Sequence, residues 1–314
     1  MQYDTIIIGG ACAGLSAGTY AARRAMKTLI ITKDTGGQIA TTPSVENYPG
    51  VDFITGPDLA MQMQGQAVKW GAELVYDEVC KLEKRGEQDF SVRTGNTEYT
   101  AKSLILAYGK TPRSLDVPGE KQYAGNGVSY CVTCDAPLYK NKTVVVVGGG
   151  SAAMEGALIL GKICEKVYLV HRRNEFRGEA ILLQHLQAST NIEQVLSSVS
   201  KEIVGDGTYA TGLVVANTDG SGDRLLQVDG IFVEIGFIVN ADLMRKLVTL
   251  DKLNQVTTNN LQETSTPGVF AAGDLTDTPY KQAVISASEG AKAALSAYAY
   301  VNNTQAVAVD WGSH

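Results

Sequence analysis

The clearest pattern along the chain is a short β-branched apolar run that gives way to glycines and then to an alanine-rich stretch. Thr5-Ile6-Ile7-Ile8 leads into Gly9-Gly10-Ala11-Cys12-Ala13-Gly14 and small residues through Ala25. An apolar run bounded by glycines reads as a buried strand, and the alanine-rich continuation as a helix, so the order predicts strand, tight turn and helix. The same order returns at Thr143–Val147, Gly148-Gly149-Gly150-Ser151-Ala152-Ala153 and a helix-compatible segment through Lys162. Each unit is followed by a second strand candidate, Thr28–Thr32 and Val167–Val170. Two βαβ beginnings predict an α/β protein. No apolar run approaches the ~20 residues of a membrane span. Strand-like stretches such as Val144–Val147 are far shorter.

Such turns do their chemistry with backbone. Glycines let the main chain approach a pyrophosphate, and the helix N-terminus offers unpaired N–H groups and partial positive charge. The second turn fits G-x-G-x-x-A at Gly148, Gly150 and Ala153, with Ser151 opening the helix. The first is G-x-A-x-x-G at Gly9, Ala11 and Gly14. If the Ala11 position needs φ > 0, its Cβ costs about 1 kcal/mol. Either turn alone could be merely structural; two of them, each between strand and helix, favour nucleotide binding. Beyond the second strand of the second unit stands His171-Arg172-Arg173-Asn174-Glu175-Phe176-Arg177. Arg172 lies near the ~20-residue offset where a ribose-reading residue is expected. Guanidinium groups suit a 2′-phosphate and hence NADPH over NADH, although a solvated basic stretch has the same composition. In the first unit that offset holds Thr32, neither acid nor arginine, which does not identify the nucleotide.

Composition narrows the classes. The length of 314 residues suggests two domains, and 33 glycines exceed the usual ~7% share without any repeat. A net charge of −6 argues against a nucleic-acid binder. Met1-Gln2-Tyr3-Asp4 lacks the basic start of a signal peptide, and five cysteines fit a secreted disulfide scaffold poorly, so a cytosolic protein is expected. Three scattered histidines and no zinc-like spacing argue against a metal. Cys131-Val132-Thr133-Cys134-Asp135 is the redox candidate. Its C-x-x-C spacing permits a disulfide that opens to two thiols, a thiolate being stabilised at a helix N-terminus. Pro137 sits where a first helical turn would tolerate it. Asp135 could shuttle the proton a leaving thiolate needs, or simply cap a helix; the residues alone leave both open. Cys12, Cys80 and Cys164 read as small buried side chains. Gly14-Leu15-Ser16-Ala17-Gly18 matches the G-x-S-x-G elbow of hydrolases. It overlaps the first turn, and no histidine is free to serve it, so that reading is set aside.

The chain resembles the low-molecular-weight thioredoxin reductases, members of the class II pyridine nucleotide-disulfide oxidoreductases, over essentially its whole length. The resemblance rests on Gly36-Gly37-Gln38, Val45–Gly50, Cys131–Asp135, Val147–Glu155, His171–Arg177 and the block GVFAAGDLTDTPYKQAVISASEG at Gly268–Gly290. It implies two Rossmann-like dinucleotide-binding domains: an FAD domain at 1–114 and 243–314, discontinuous because an NADPH domain at 115–242 with the C-x-x-C is inserted. FAD would lie against Gly9, Ala11, Gly14, Thr32, Gly37, Gln38, Thr41, Asn47, Gly273, Lys281, Gln282 and Ala283, with Asp274 on the ribityl chain. NADPH would take Gly148, Gly150, Ser151, Ala153, His171, Gly236 and the arginines Arg172, Arg173 and Arg177. Cys134 would be the thiol nearest the flavin, Cys131 the one that attacks the substrate disulfide, and Asp135 the acid/base group. The family alternates between two domain orientations, forms homodimers and reduces thioredoxin in the cytoplasm.

The chain departs from the family at Ala11 and Cys12, at Tyr108, at Ala136-Pro137-Leu138 after the cysteines, and at Phe237. Trp311, in the Val307–His314 tail, is a candidate to cover the flavin or a dimer partner. Two further readings remain: the same flavoprotein with another donor, such as ferredoxin, or another disulfide partner, and a nucleotide-binding redox sensor without turnover. A flavoprotein component of a hydroperoxide reductase is disfavoured because no thioredoxin-like domain precedes the first strand.

Overall fold

The computed structural model describes residues 2–42, 45–95, 97–177 and 180–304; Trp311 and the tail around it lie outside the described residues. The chain divides into two compact units, one formed by the chain up to Thr111 and from Val239 onward, the other by Pro112–Ile238.

In the first unit the opening apolar run becomes strand Gln2–Ile8, paired in parallel with Thr28–Thr32 on one side and Glu98–Leu106 on the other. Glu73–Tyr76 extends the sheet beyond Thr28–Thr32, and Val269–Ala271 pairs in parallel with Glu98–Leu106. Asp89–Thr94 and Val79–Gly86 continue the sheet antiparallel. Ile6, Ile7, Leu29, Ile30, Leu104 and Ile105 are buried. Burial on both faces is why these strands read as unbroken apolar runs rather than alternations. Helix Cys12–Arg23 packs against the long helix Ala283–Val301. The approach is so close that a Cβ at Gly290 would lie 2.0 Å from the Ala13 carbonyl oxygen. Ser16 Oγ donates to the Ala287 carbonyl at 2.7 Å, so the serine of the hydrolase-like pattern ties two helices together.

The second unit is a parallel sheet in the order Ile192–Val195, Lys166–Val170, Thr143–Val147, Gly230–Val233, Val128–Ser129. On one face, Val144, Val146 and Phe232 pack against Met154 and Leu160 of helix Ser151–Gly161. On the other, Val145 and Ile231 pack against Leu213 and Val215 of an antiparallel sheet, Ser198–Gly205, Ala210–Asn217 and Asp223–Gln227. Among the described residues no helix is long and apolar enough to cross a membrane. One expectation fails: Cys12 and Cys164 are buried, but Cys80 is exposed on strand Val79–Gly86. That strand lies at the edge of its sheet, where Val79 and Leu82 pack partly against the core while Cys80 is left exposed.

Candidate active site

Cys131 and Cys134 are joined in a disulfide, their Cα atoms 5.4 Å apart. They follow the edge strand Val128–Ser129, where the chain makes a single helical turn, Val132–Asp135, and then the 3-10 turn Ala136–Tyr139. Asp135 is 8% exposed. Ser129 Oγ donates to Asp135 Oδ2 at 2.6 Å and accepts the Cys131 N–H at 3.1 Å. The other carboxyl oxygen, Oδ1, is buried and makes no hydrogen bond among the described residues. Burial pushes the Asp135 carboxyl above the usual carboxylate range, against the Ser129 hydroxyl, which lowers it. Asp135 stands at the N-cap of the 3-10 turn yet its side chain makes no capping bond there. Of its two readings, capping is therefore absent, and a half-satisfied buried carboxyl can hold or release a proton.

The second glycine turn is built around close approaches. A Cβ on Gly148 would lie 2.3 Å from the Glu234 carbonyl oxygen, and one on Gly149 would meet the His171 ring at 2.0 Å. The Arg177 N–H donates to the Gly149 carbonyl at 2.8 Å, which brings the arginine stretch back to the turn. His171 stacks on Phe176 with ring centroids 5.5 Å apart, and its Nε2 is buried without a partner among the described residues. Burial, then the Arg172 and Arg177 charges, hold its pKa down. Arg172 and Arg177 are exposed and Arg173 is half-buried. Around Gly150, by contrast, a Cβ would meet nothing within 4 Å. Gly236 takes φ +95° and accepts the Arg113 N–H at 2.9 Å. Open space before a helix N-terminus beside the exposed guanidinium groups of Arg172 and Arg177 fits a nucleotide carrying an extra phosphate.

In the first unit the predicted residues gather at the C-terminal ends of the parallel strands. Gly9 has φ +117°, and the Gly36 N–H donates to the Gly10 carbonyl at 2.7 Å. Ala11 adopts φ −107° and ψ −167°, extended backbone open to any residue, so the condition under which its Cβ would be strained is not met. Thr32 is buried against Gly10, its hydroxyl donating to the Asp34 carbonyl at 2.6 Å. The Gly37 N–H donates to Asp34 Oδ1, Thr41 Oγ1 donates to the Gln38 carbonyl, and Gln38 Nε2 to the Lys110 carbonyl. Lys110 Nζ lies 3.8 Å from Asp274 Oδ2, and Ser286 Oγ donates to Asp274 Oδ1 at 3.3 Å. Asn47 Nδ2 donates to Gln282 Oε1 at 3.3 Å, just before Ala283 opens the long helix. Lys281 Nζ donates to the Thr276 carbonyl at 2.6 Å, and burial holds its pKa down.

Both nucleotide helices begin at a residue with no side-chain cap bond and carry no acid in the first turn. Helix Gly56–Lys69 shows the alternative: Thr55 accepts the Asp58 N–H at 3.2 Å, and Asp58 adds negative charge. The two helices have no side-chain cap on their first N–H groups, and Gly150 leaves open space before the second helix, which fits two dinucleotides.

Three buried polar residues that the sequence does not single out brace these regions. Glu289 is 5% exposed; it accepts the Gly273 N–H at 2.7 Å and the Thr278 hydroxyl at 2.5 Å, fixing the loop that carries Asp274. Ser129 holds Asp135. Glu120, also buried, accepts the N–H groups of Leu115 and Asp116 and the hydroxyl of Tyr130, the neighbour of Cys131. A lone acid amid small residues, Ala287-Ser288-Glu289-Gly290, was the available signal for Glu289.

The family model of pyridine nucleotide-disulphide oxidoreductases matches residues 3–290. The chain is 38% identical over 308 residues to a thioredoxin reductase of Helicobacter pylori, covering 96% of this chain and 99% of that one. It is 36% identical over 300 residues to a thioredoxin reductase of Listeria monocytogenes, covering 95% of this chain and 94% of that one. The crystal structure of thioredoxin reductase from Streptococcus pyogenes superposes with a TM-score of 0.91 at 35% identity, covering 96% of this chain and 99% of that one.

Proposed function

The chain belongs to the pyridine nucleotide-disulphide oxidoreductase family, and on that premise we propose that it is an NADPH-dependent thioredoxin reductase. The observation that carries the proposal is the Cys131–Cys134 disulfide beside a buried, half-satisfied Asp135. Bound FAD would supply the two-electron relay between NADPH and this disulfide. Gly9, Gly14, Gln38, Asn47 and Asp274 would hold the FAD, and Gly148, Gly150, Arg172, Arg173 and Arg177 the NADPH. Thioredoxin or a thioredoxin-like protein is the electron acceptor.

Once the pair is reduced, the Cys131 thiolate attacks the substrate disulfide; a Cys131–substrate S–S bond forms and one substrate thiolate departs. Asp135 gives that thiolate its proton and takes another from the Cys134 thiol. The Cys134 thiolate then attacks the Cys131 sulfur, closing the enzyme disulfide and releasing the second substrate thiolate, which is protonated from water. Substrate leaves as a dithiol, and protons and electrons balance.

The enzyme is proposed to work in the cytoplasm as a homodimer. Phe53, Met61 and Val68 in the first unit are exposed apolar side chains that a second copy would cover; a monomeric mass in solution would remove the dimer. Anaerobic mixing tests the function. NADPH should bleach the flavin faster than NADH, and added thioredoxin should restore the colour. Absence of bleaching with either nucleotide would overturn the proposal; bleaching without transfer to thioredoxin would redirect it to another disulfide. Cys134→Ser should abolish disulfide reduction while the flavin is still reduced.

A further inference from the structure

We infer that Ser129 is a positioning residue for disulfide reduction: its hydroxyl holds the Asp135 carboxyl against the redox loop and sets the pH range over which that carboxyl keeps its proton. The inference rests on Asp135 acting as the proton donor, as proposed above. Ser129 ends the short edge strand and is 6% exposed. Its hydroxyl has one proton and two acceptors, Asp135 Oδ2 at 2.6 Å and the Cys131 carbonyl at 3.4 Å, and the shorter contact to the carboxyl takes it. The same oxygen accepts the Cys131 N–H at 3.1 Å. One side-chain atom thus links the backbone of the first cysteine to the carboxyl that follows the second. When the disulfide opens, the covalent tie across this turn is lost, and the link through Ser129 remains alongside the Asp135 N–H bond to the Cys131 carbonyl, 3.2 Å.

The groups facing Asp135 leave Ser129 the controlling role. Its own turn carries Cys131 and Cys134. Tyr139 faces it from the 3-10 turn, with its phenol pushed up to about 12 by burial and by the charges of Asp135 and Asp229, so it stays neutral at ordinary pH. Burial raises the Asp135 pKa and the Ser129 hydroxyl lowers it, and no cation figures among these influences. Removing the hydroxyl takes away the group that favours the carboxylate, so the protonated acid persists to higher pH.

The test is an infrared titration of the protonated carboxyl band in the flavin-loaded enzyme, assigned by its loss in Asp135→Asn. In Ser129→Ala the midpoint should rise by about one to two pH units, the effect of one hydrogen bond to a charged group. Ser129→Thr, which keeps the hydroxyl, should restore the wild-type midpoint, and the alkaline limb of thioredoxin reduction should move with the band. Ser129→Gly removes the same hydroxyl and replaces the alanine variant if that one does not fold. An unchanged midpoint in the hydroxyl-free variant, or a threonine variant that behaves like it, overturns the inference. A wild-type enzyme that fails to reduce thioredoxin while the midpoint still moves overturns the proposed function and leaves the role of Ser129 standing.

Discussion

The two glycine turns follow the same chain path, yet glycine serves a different end in each. In the first, a Cβ on Gly14 would lie 1.8 Å from the Gly9 carbonyl oxygen, so glycine is required for packing between turn and helix. In the second, the corresponding place is filled by Ala153, fully buried, because the helix stands far enough off the turn to admit a methyl. The close-approach position reverses the contrast. Ala11 and Gly150 share extended backbone, φ −107° and −97°, but the first carries a methyl and the second faces open space. A glycine fingerprint therefore mixes two signals, one for how tightly the turn is packed and one for how closely a ligand can come.

The packing half of this contrast makes the largest prediction. Gly14→Ala should cost about 3 kcal/mol or more, since the methyl meets backbone that cannot rotate away. Ala153→Gly should cost about 1 kcal/mol, the propensity penalty of glycine within a helix. Urea unfolding of both variants checks the pair, and equal losses would remove the distinction. Glu289→Ala should come next. It leaves the buried Gly273 N–H without its acceptor, for about 1–3 kcal/mol, while the half-buried Thr278 hydroxyl can turn to solvent. Flavin retained through gel filtration should fall, and full retention would show that the Asp274 loop holds its shape without Glu289.

What the sequence disclosed and what it hid divide along physical lines. Strands Thr28–Thr32 and Thr143–Val147 emerge with their predicted bounds, because a doubly buried strand needs apolar residues at every position and leaves a continuous mark. The helices that follow each turn were legible from alanine and glycine content. The cysteine pair was legible because a disulfide across three residues is a local event. Ser129, Glu120 and Glu289 were not. Each acts through hydrogen bonds that the fold assembles, and a lone serine or glutamate carries no pattern of its own. Whether Ala11 needed a positive φ was not legible either, since the residue type leaves its backbone open; φ there is −107°. Cys80 was misread as buried because cysteine's usual burial says nothing about which strand lies at an edge.

The ligand half of the contrast predicts smaller, selective effects. Arg172→Ala and Arg177→Ala should each weaken NADPH by about 10- to 100-fold, the worth of a charge-assisted bond of ~1.5–3 kcal/mol. NADH, lacking the 2′-phosphate, should be almost unaffected, and unfolding should be unchanged because both side chains are exposed. Steady-state KM for the two nucleotides reads this directly. A matching loss with NADH would mean that the arginines hold the turn and do not read the phosphate.

The smallest effect comes from exchanging the close-approach residues. Ala11→Gly and Gly150→Ala both keep an allowed extended backbone, and neither is predicted to shift unfolding by more than about 0.5–1 kcal/mol, the spread between alanine and glycine at an N-cap. Their ligand effects should differ. Ala11→Gly removes a methyl that the first turn already accommodates, so flavin retention should stay as it is. Gly150→Ala places a methyl in space that the glycine leaves open, so NADPH affinity should fall several-fold with no change in flavin content. Isothermal titration with NADPH and the flavin-to-protein absorbance ratio measure the two halves separately. If Gly150→Ala bound NADPH as well as the wild type, the open space at the second turn would not be where the nucleotide lies. The two turns would then differ in packing alone.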